Sequence, residues 1–473
     1  MMTNRIKLLL LIVFLLSIFL RFYSLSRNSL WVDEIITLNL SEQKIANIIS
    51  DRLNEGFTPA YFVLMQSWVF VFGKSEYALR FLSAFFGVLA IPLFFYLVMK
   101  ILDAKTALFS SFLLALSEVH LWQSQNARMY EITFFFIIFS LLFFWQLLKR
   151  DSKSCWCAYA LTTLIALSMH YLSILSTLSQ WLFLIFFCKK LGLGKRKLIA
   201  LLALQTSLMV LFALLILRYP GAGVLSWLPP LSLKTIEQYF IRLSPMWHVP
   251  LQNIFHYNLL LCYGIAILAV TKLLKDKRIL ETGFLIILFI IPHVILIIVS
   301  LVKTPVFGPT RYLIFTTIPL YIFIAYGLLS IKNTFNKKLW IGVFISLSLY
   351  SAVHYLKTET RDPWRKVANY LQNSRQKNEL VFLYPDFDWS KLPFDYYFKN
   401  NNYTGITDIY QIKANSPGIW IVISHQDKLK RHTLNKLCES RFKERFFYVE
   451  KKEFICQEEE DFHSILLLHY WDA

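Results

Sequence analysis

The chain has 473 residues, of which 56% are hydrophobic and only 17% charged, with 42 Phe and a mean hydropathy of +0.49. This excludes an ordinary water-soluble domain and makes the bilayer the main solvent. The formal net charge of +19 would point to nucleic acid in a soluble protein, but the basic residues lie in short clusters between apolar runs, so no nucleic-acid partner is expected.

In chain order the apolar runs predict roughly eleven membrane crossings, each of about 20 residues so that the backbone bonds are satisfied inside the hydrocarbon. They fall near residues 8–25, 79–101, 105–122, 128–148, 155–172, 173–188, 198–217, 256–273, 281–301, 312–330 and 339–356. Arg5 and Lys7 precede the first run and no small-residue cleavage site follows it, so it is expected to stay as a membrane helix. Basic clusters at Arg5/Lys7, Lys100/Lys105, Lys149/Arg150/Lys153, Lys189 to Lys197, Lys272 to Arg278 and Lys332 to Lys338 recur at every second run. They place the N-terminus inside and, with an odd number of crossings, the C-terminus outside.

Two outer loops interrupt the pattern, 26–78 and 218–255. The first carries Asp33-Glu34, a polar helical stretch around Glu42 to Leu53, and the segment Thr58 to Phe72, too short to span and too apolar to float free. A half-immersed interfacial helix is expected there. The second loop is rich in Pro, Trp and Gly, which suits the membrane–water boundary.

From Lys357 the composition turns polar, marking a domain over 357–473 beside a transmembrane domain over 1–356. Helices at Pro363 to Ser374, Lys391 to Phe398 and Lys428 to Cys438 are expected. They alternate with strands at Glu379 to Tyr384, Gly418 to Ser424, Phe446 to Val449 and Ile465 to His469, a small α/β layer structure. The fold class is thus a polytopic α-helical membrane protein, N-terminus in and C-terminus out, with a small C-terminal extracytoplasmic α/β domain. Of the six cysteines, Cys155, Cys157, Cys188 and Cys262 belong with the helices. Cys438 and Cys456, in the exported domain, could pair as a disulfide or remain thiols.

Ionisable groups at a membrane are costly, and those without an anchoring role call for a functional reading. On the outer side they are Asp33, Glu34, Arg80, Arg128, His170, Lys303 and Arg311. Asp33 and Glu34 lie in SLWVDEIITL, where apolar flanks favour a general base, although an acidic first helical turn explains the pair as well. Gln123-Ser-Gln-Asn-Ala-Arg-Met-Tyr130 is a polar island in which Arg128 offers a fork of donors to a phosphate, flanked by Gln123 and Tyr130; snorkelling to head groups is the competing account. Gly308-Pro-Thr-Arg-Tyr312 sets Arg311 and Tyr312 at another helix entrance, for phosphate or for interfacial anchoring. His170 could donate to a phosphate or a hydroxyl, or be structural. His248 and His256 lack metal-ligand spacing, so no metal is expected. Without a GxxxxGK[ST] or GxGxxG motif, no cofactor has a visible seat. An outward-facing enzyme would then need an activated donor held in the bilayer, such as a sugar on a polyprenyl phosphate.

These segments resemble the GT-C class of membrane glycosyltransferases, the branch related to the family 39 protein O-mannosyltransferases and the lipid A aminoarabinose transferases. SLWVDE is similar to that family's first-loop Asp-Glu, and TPAYFVLMQSWVFVFGKSEYALRFLSAFFG to its half-embedded helix and second crossing. SQNARMYE resembles its Ser-Gln-x-Ala-Arg-x-Tyr segment, GPTRYL its Pro-Arg-Tyr element, and RDPWRKVANYL the helix opening its exported tail. The resemblance implies an inverting transfer from a polyprenyl-phosphate sugar to a lipid, glycan or protein acceptor, with Asp33 nearest the acceptor, Glu34 supporting it and Arg128 holding the lipid phosphate. Two departures, Phe57-Thr58-Pro59-Ala60 for His-Pro-Pro and Asn126 for an acidic residue, keep the relatives' substrates from being inherited.

Such an enzyme is expected in the inner (cytoplasmic) membrane, with membrane lipids around it. The rival is a transporter or flippase of lipid-linked sugars, which would set its polar groups near the midplane in two related halves. Here the charges gather at one face and no internal repeat is visible. A scaffold displaying the tail domain would leave Asp33-Glu34 and Arg128 unexplained.

Overall fold

The computed structural model describes residues 2–219, 228, 230–246, 255–302, 305–399, 402–412, 417–426, 428–442, 446–455 and 464–472. Lys303, His248 and Cys456 lie outside them, as do most of the second outer loop and the His256 side chain. The chain forms two compact units, Met1–Tyr23 with Ser41–Gly73 and Ala78–His354, and Ser24–Leu40 with Lys74–Tyr77 and Tyr355–Ala473.

In chain order the helices begin with α1 (Asn4–Phe22), α2 (Val32–Ser41), α3 (Ile45–Asn54), α4 (Ala60–Phe72) and α5 (Glu76–Ile101). Next come α6 (Ala104–Leu116), α7 (Glu118–Ser124), α8 (Tyr130–Lys149), α9 (Lys153–Met169), α10 (Ile174–Leu191) and α11 (Lys195–Arg218). There follow α12 (Leu233–Leu243), α13 (Phe255–Lys275), α14 (Ile279–Val302), α15 (Thr317–Leu329) and α16 (Thr334–Lys357), whose last residues pass into the second unit. Short 3-10 turns, Tyr171–Ser173 and Thr310–Thr316, lead into α10 and α15.

Among the described residues, 8 helical stretches are long and apolar enough to cross a bilayer: 76–101, 130–149, 171–191, 195–218, 258–275, 279–302, 310–329 and 334–357. The remaining expected crossings fall on α1, which includes Arg5, Lys7 and Arg21, on α9, and on α6 with α7. The run 105–122 is not one helix. Asp103 caps α6 by accepting from the amides of Lys105 (2.9 Å) and Thr106 (3.0 Å), and the helix stops at Leu116 because Ser117 is extended, with ψ 119°. The cause is polar: Ser117 bonds the Tyr321 hydroxyl at 2.6 Å, Glu118 accepts from Ser351 at 2.7 Å, and His120 reaches Glu131 and Thr317, each at 2.9 Å. Buried polar groups need partners, and the break turns these toward them.

The core of this unit is aromatic. Phe144 of α8 lies 6.0 Å from Tyr159 of α9 and 5.8 Å from Phe284 of α14 between ring centroids. Helices α13 and α15 approach through Gly327, where a Cβ would stand 2.7 Å from the Ile265 carbonyl oxygen, the close contact that small residues permit between membrane helices. Leu214 and Leu217 of α11 and Leu301 and Val302 of α14 are exposed, as lipid-facing side chains are.

The second unit holds α17 (Trp364–Ser374), β1 (Leu380–Tyr384), α18 (Asp388–Tyr397), β2 (Thr404–Gly405), β3 (Gly418–Ile423), α19 (Lys428–Phe442), β4 (Phe446–Phe454) and β5 (Ile465–Asp472). The sheet order is β2-β1-β3-β5-β4, with β1 parallel to β2 and β3, and β5 antiparallel to β3 and β4. The central strand GIWIVI is buried throughout. Its alternate side chains serve two cores, as a two-residue period requires. Ile419, Ile421 and Ile423 pack with Leu434, Cys438 and Phe442 of α19, while Trp420 and Val422 pack with Trp364, Val367 and Leu371 of α17.

Candidate active site

In the first unit four of the expected residues come together. Tyr130 opens α8, His170 sits in the extended link between α9 and the Tyr171–Ser173 turn, and Arg311 and Tyr312 lie in the turn before α15, after Gly308 at φ 151°. The His170 ring is 5.4 Å from Tyr130, 5.2 Å from Tyr171 and 6.0 Å from Tyr312. The Arg311 guanidinium stands 5.9 Å from the Tyr130 ring and 5.7 Å from that of Tyr312. His170 lies in the field of both Arg311 and Arg128.

Arg128, 6% exposed, places its guanidinium 5.6 Å from the Phe62 ring of α4. The same ring carries Arg52 of α3 at 5.3 Å. Sequence reasoning missed Arg52, because an arginine in a polar helix looks like solvated surface, yet it is 6% exposed and pairs with Glu55 at 2.5 Å. Its Nε is buried without a hydrogen-bond partner among the described residues. Burial pushes the Arg52 guanidinium below its ordinary value; Glu55 opposes that shift and Arg128 adds to it. Two guanidiniums on one aromatic face are each attracted to the ring but repel one another, and Glu55 offsets part of that repulsion at Arg52.

The polar island is built to hold still. Gln125 donates to the carbonyls of Leu20 (3.2 Å), Arg21 (3.3 Å) and Tyr23 (3.0 Å), capping α1, and Ser83 of α5 donates to the Arg128 carbonyl at 3.1 Å. His120 ties α7, α8 and α15 through Glu131 and Thr317. Gln123 is fully buried, and neither atom of its amide has a hydrogen-bond partner among the described residues. It lies on α7, which packs against the turn bearing Arg311. Arg80 is buried in α5.

Beside this group lies an apolar cavity of about 650 Å³. Leu53 of α3, Phe57, Val63 of α4, Tyr171, Phe212 of α11 and Tyr219 are among its walls. Thr58, also lining it, donates to the Met169 carbonyl at 3.0 Å, fastening the start of α4 to the chain just before His170.

Asp33 and Glu34 belong to the second unit, in the first turn of α2. They differ in environment. Glu34 is fully buried, and its Oε2 accepts from Arg361 Nη1 at 2.6 Å and from the Trp31 amide at 3.4 Å. The second contact is the return half of a capping box, a carboxylate in the first turn satisfying an unpaired amide before the helix. Asp33 is half-buried, and its carbonyl accepts from the Thr37 hydroxyl at 2.9 Å. Arg361 is a second residue that sequence reasoning missed, since a partner 327 positions away leaves no local signal.

A family model described as dolichyl-phosphate-mannose-protein mannosyltransferase matches residues 52–219, which include Arg52, Gln123, Arg128, Tyr130 and His170. ArnT from Cupriavidus metallidurans bound to undecaprenyl phosphate is similar at 12% identity and a TM-score of 0.55, covering 99% of this chain and 98% of that one. The Archaeoglobus fulgidus oligosaccharyltransferase in its apo form is similar at 11% identity and a TM-score of 0.54, covering 94% and 69%. The archaeal oligosaccharyltransferase AglB from the same organism, in complex with an inhibitory peptide and a dolichol-phosphate, gives 11%, 0.53, 83% and 64%. At these identities the likeness to the solved structures is one of fold. No curated protein sequence matches the chain.

Proposed function

We propose that this chain, a GT-C-class membrane glycosyltransferase related to the protein O-mannosyltransferases and the lipid A aminoarabinose transferases, moves a sugar from a polyprenyl-phosphate donor to a lipid, glycan or protein acceptor at the outer face of the cytoplasmic membrane. The observation that carries this reading is the group of Arg52, Arg128 and Arg311 on aromatic faces beside an apolar cavity. Phosphate chemistry thus lies next to space for a hydrocarbon chain. The acceptor hydroxyl attacks the anomeric carbon, the bond from that carbon to the phosphate oxygen breaks on the opposite face, and the configuration inverts. Arg128 and Arg311, with Arg52, take up the charge left on the lipid phosphate, and His170, Tyr130, Tyr312 and Gln123 supply donors around the phosphate and sugar.

For Asp33 we propose the part of general base, accepting the hydroxyl proton. Asp33 is half-buried whereas Glu34 is fully buried, and the more accessible carboxylate suits that part. With a phosphate acceptor no proton need leave, and Asp33 would orient it instead.

Mass spectrometry of envelope glycans and lipids from a deletion strain should reveal a missing sugar mass that the wild-type gene restores. Asp33→Asn is expected to lower the restored mass about 100-fold or more, the usual worth of a positioned base. Arg128→Ala should lower it about 10- to 1,000-fold, by loss of charge stabilisation. Full restoration by either variant would rule out the part proposed for that residue.

A further inference from the structure

The acidic pair is held by chain far away in sequence. Within the second unit, residues 24–31 are stitched to 355–365. Arg27 donates to the carbonyls of Leu356 and Lys357, Asn28 to the Thr360 hydroxyl at 3.3 Å, and the Arg365 amide to the Ser29 hydroxyl at 3.1 Å. The Arg365 guanidinium returns bonds to the carbonyls of Ser26 and Arg27 and pairs with Glu76. The Leu30 amide donates to the Tyr397 hydroxyl at 2.6 Å. At the end of this seam stands the Arg361–Glu34 pair, 4% and 0% exposed.

Behind Arg361 the contact continues into the sheet. Asp362 lies 3.6 Å from His425 Nε2, and His425 follows β3 with a left-handed φ of 50°. Its Nδ1 faces Ser390 at 3.3 Å and Ser424 at 3.4 Å, and the two hydroxyls bond each other at 2.8 Å. Trp364, Phe387 and Trp389 place their rings about the imidazole. Ser390, His425 and Asp362 have the residue types of a nucleophile relay, but Ser390 is fully buried and the histidine–aspartate separation is long for a hydrogen bond. The group is a buttress. It fixes the backbone carrying Arg361 to the carboxyl ends of the parallel strands β1 and β3.

We propose that Arg361 is a positioning residue that acts through Glu34 on Asp33, so that the C-terminal segment of this unit takes part in sugar transfer instead of only being displayed. The inference rests on the reading of Asp33 as the base. Glu34 is the next residue in the same helical turn, so the guanidinium that fixes its carboxylate fixes the orientation of that turn, and with it the direction of the Asp33 side chain. Misplacing a reacting group by about 1 Å costs roughly 100-fold in rate.

The test is a double-mutant cycle in the deletion strain, reading the restored glycan or lipid mass per membrane-inserted protein for Arg361→Met, Glu34→Gln and the double variant. Arg361→Met is expected to lower the restored mass 10- to 100-fold. The double variant should fall no further than the weaker single, because residues acting through one contact are not additive. Wild-type restoration by Arg361→Met overturns the proposal, as does a double variant whose loss is the product of the two single losses. If Arg361→Met leaves an unpaired buried carboxylate and does not accumulate, the double variant, which buries no lone charge, is compared with Glu34→Gln: equal restoration supports the proposal and a further loss overturns it. Asp33→Asn runs in parallel. Its full restoration of the mass would overturn the base assignment and this inference with it, whereas a dead Asp33→Asn beside a normal Arg361→Met overturns only the role of Arg361.

Discussion

Adjacent carboxylates on α2 meet different fates because neighbours in a helix point about 100° apart. Glu34 turns inward to Arg361 and the Trp31 amide, and Asp33 stays half-buried. The same sorting by burial divides the arginines. Arg52 and Arg128 share the Phe62 ring, and Arg311 lies over Tyr130 and Tyr312. Burial also governs Cys438, whose thiol is pushed up to about 12. A raised value empties the thiolate at pH 8, so iodoacetamide should label Cys438 about 100-fold or more slowly in the folded protein than in reducing denaturant, where the thiol regains its ordinary value near 8.5. Peptide mass spectrometry of the two samples checks this, and rapid labelling of the native protein would contradict the burial of α19 against β3.

Among the elements, the break at Ser117 has the clearest consequence. A continuous helix over 105–122 would satisfy its own backbone but leave Ser117, Glu118 and His120 without Tyr321, Ser351, Glu131 and Thr317. The break brings in α7, and α7 leads directly to the polar island. There Gln125 caps α1 with one amide reaching three carbonyls. Gln125→Leu removes that cap from buried acceptors and is expected to cost about 1–3 kcal/mol. The measurement is a lower melting temperature in detergent, with the membrane-inserted amount otherwise normal. An unchanged melting temperature would mean that water caps α1 equally well.

At the scale of the whole molecule, the chain is cut into units that do not follow sequence order. Residues 24–40 and 74–77 belong with 355–473 although α1 and α4 flank them. Their protection should therefore follow their partners. In hydrogen exchange on the full chain, amides of 24–31 are expected to exchange together with those of 355–365, and Arg365→Ala should speed both. That variant loses the bonds to Ser26, Arg27 and Glu76 in a single change. Exchange of 24–31 that ignores the substitution would show that the seam contributes little.

The polytopic helical class was legible in the sequence, because lipid demands long apolar runs and the periodicity of those runs is a local property. The tail strands were legible for the same reason: GIWIVI reads as a strand from its short apolar run, whereas its burial on both faces comes from the helices packed there. Arg128, Tyr130, His170, Arg311 and Tyr312 stood out by being polar where the surroundings are not. Arg52 and Arg361 did not. Each lies in a polar stretch that reads as surface; Arg361 is buried against a partner 327 positions away, and Arg52 lies against Phe57 and Phe62 beyond the end of its own helix. That Glu34 pairs with Arg361, which arginines share a ring, and how the first loop is divided between the two units were decided by tertiary structure alone. Those outcomes depend on contacts between residues separated by up to hundreds of positions, and no local pattern encodes them.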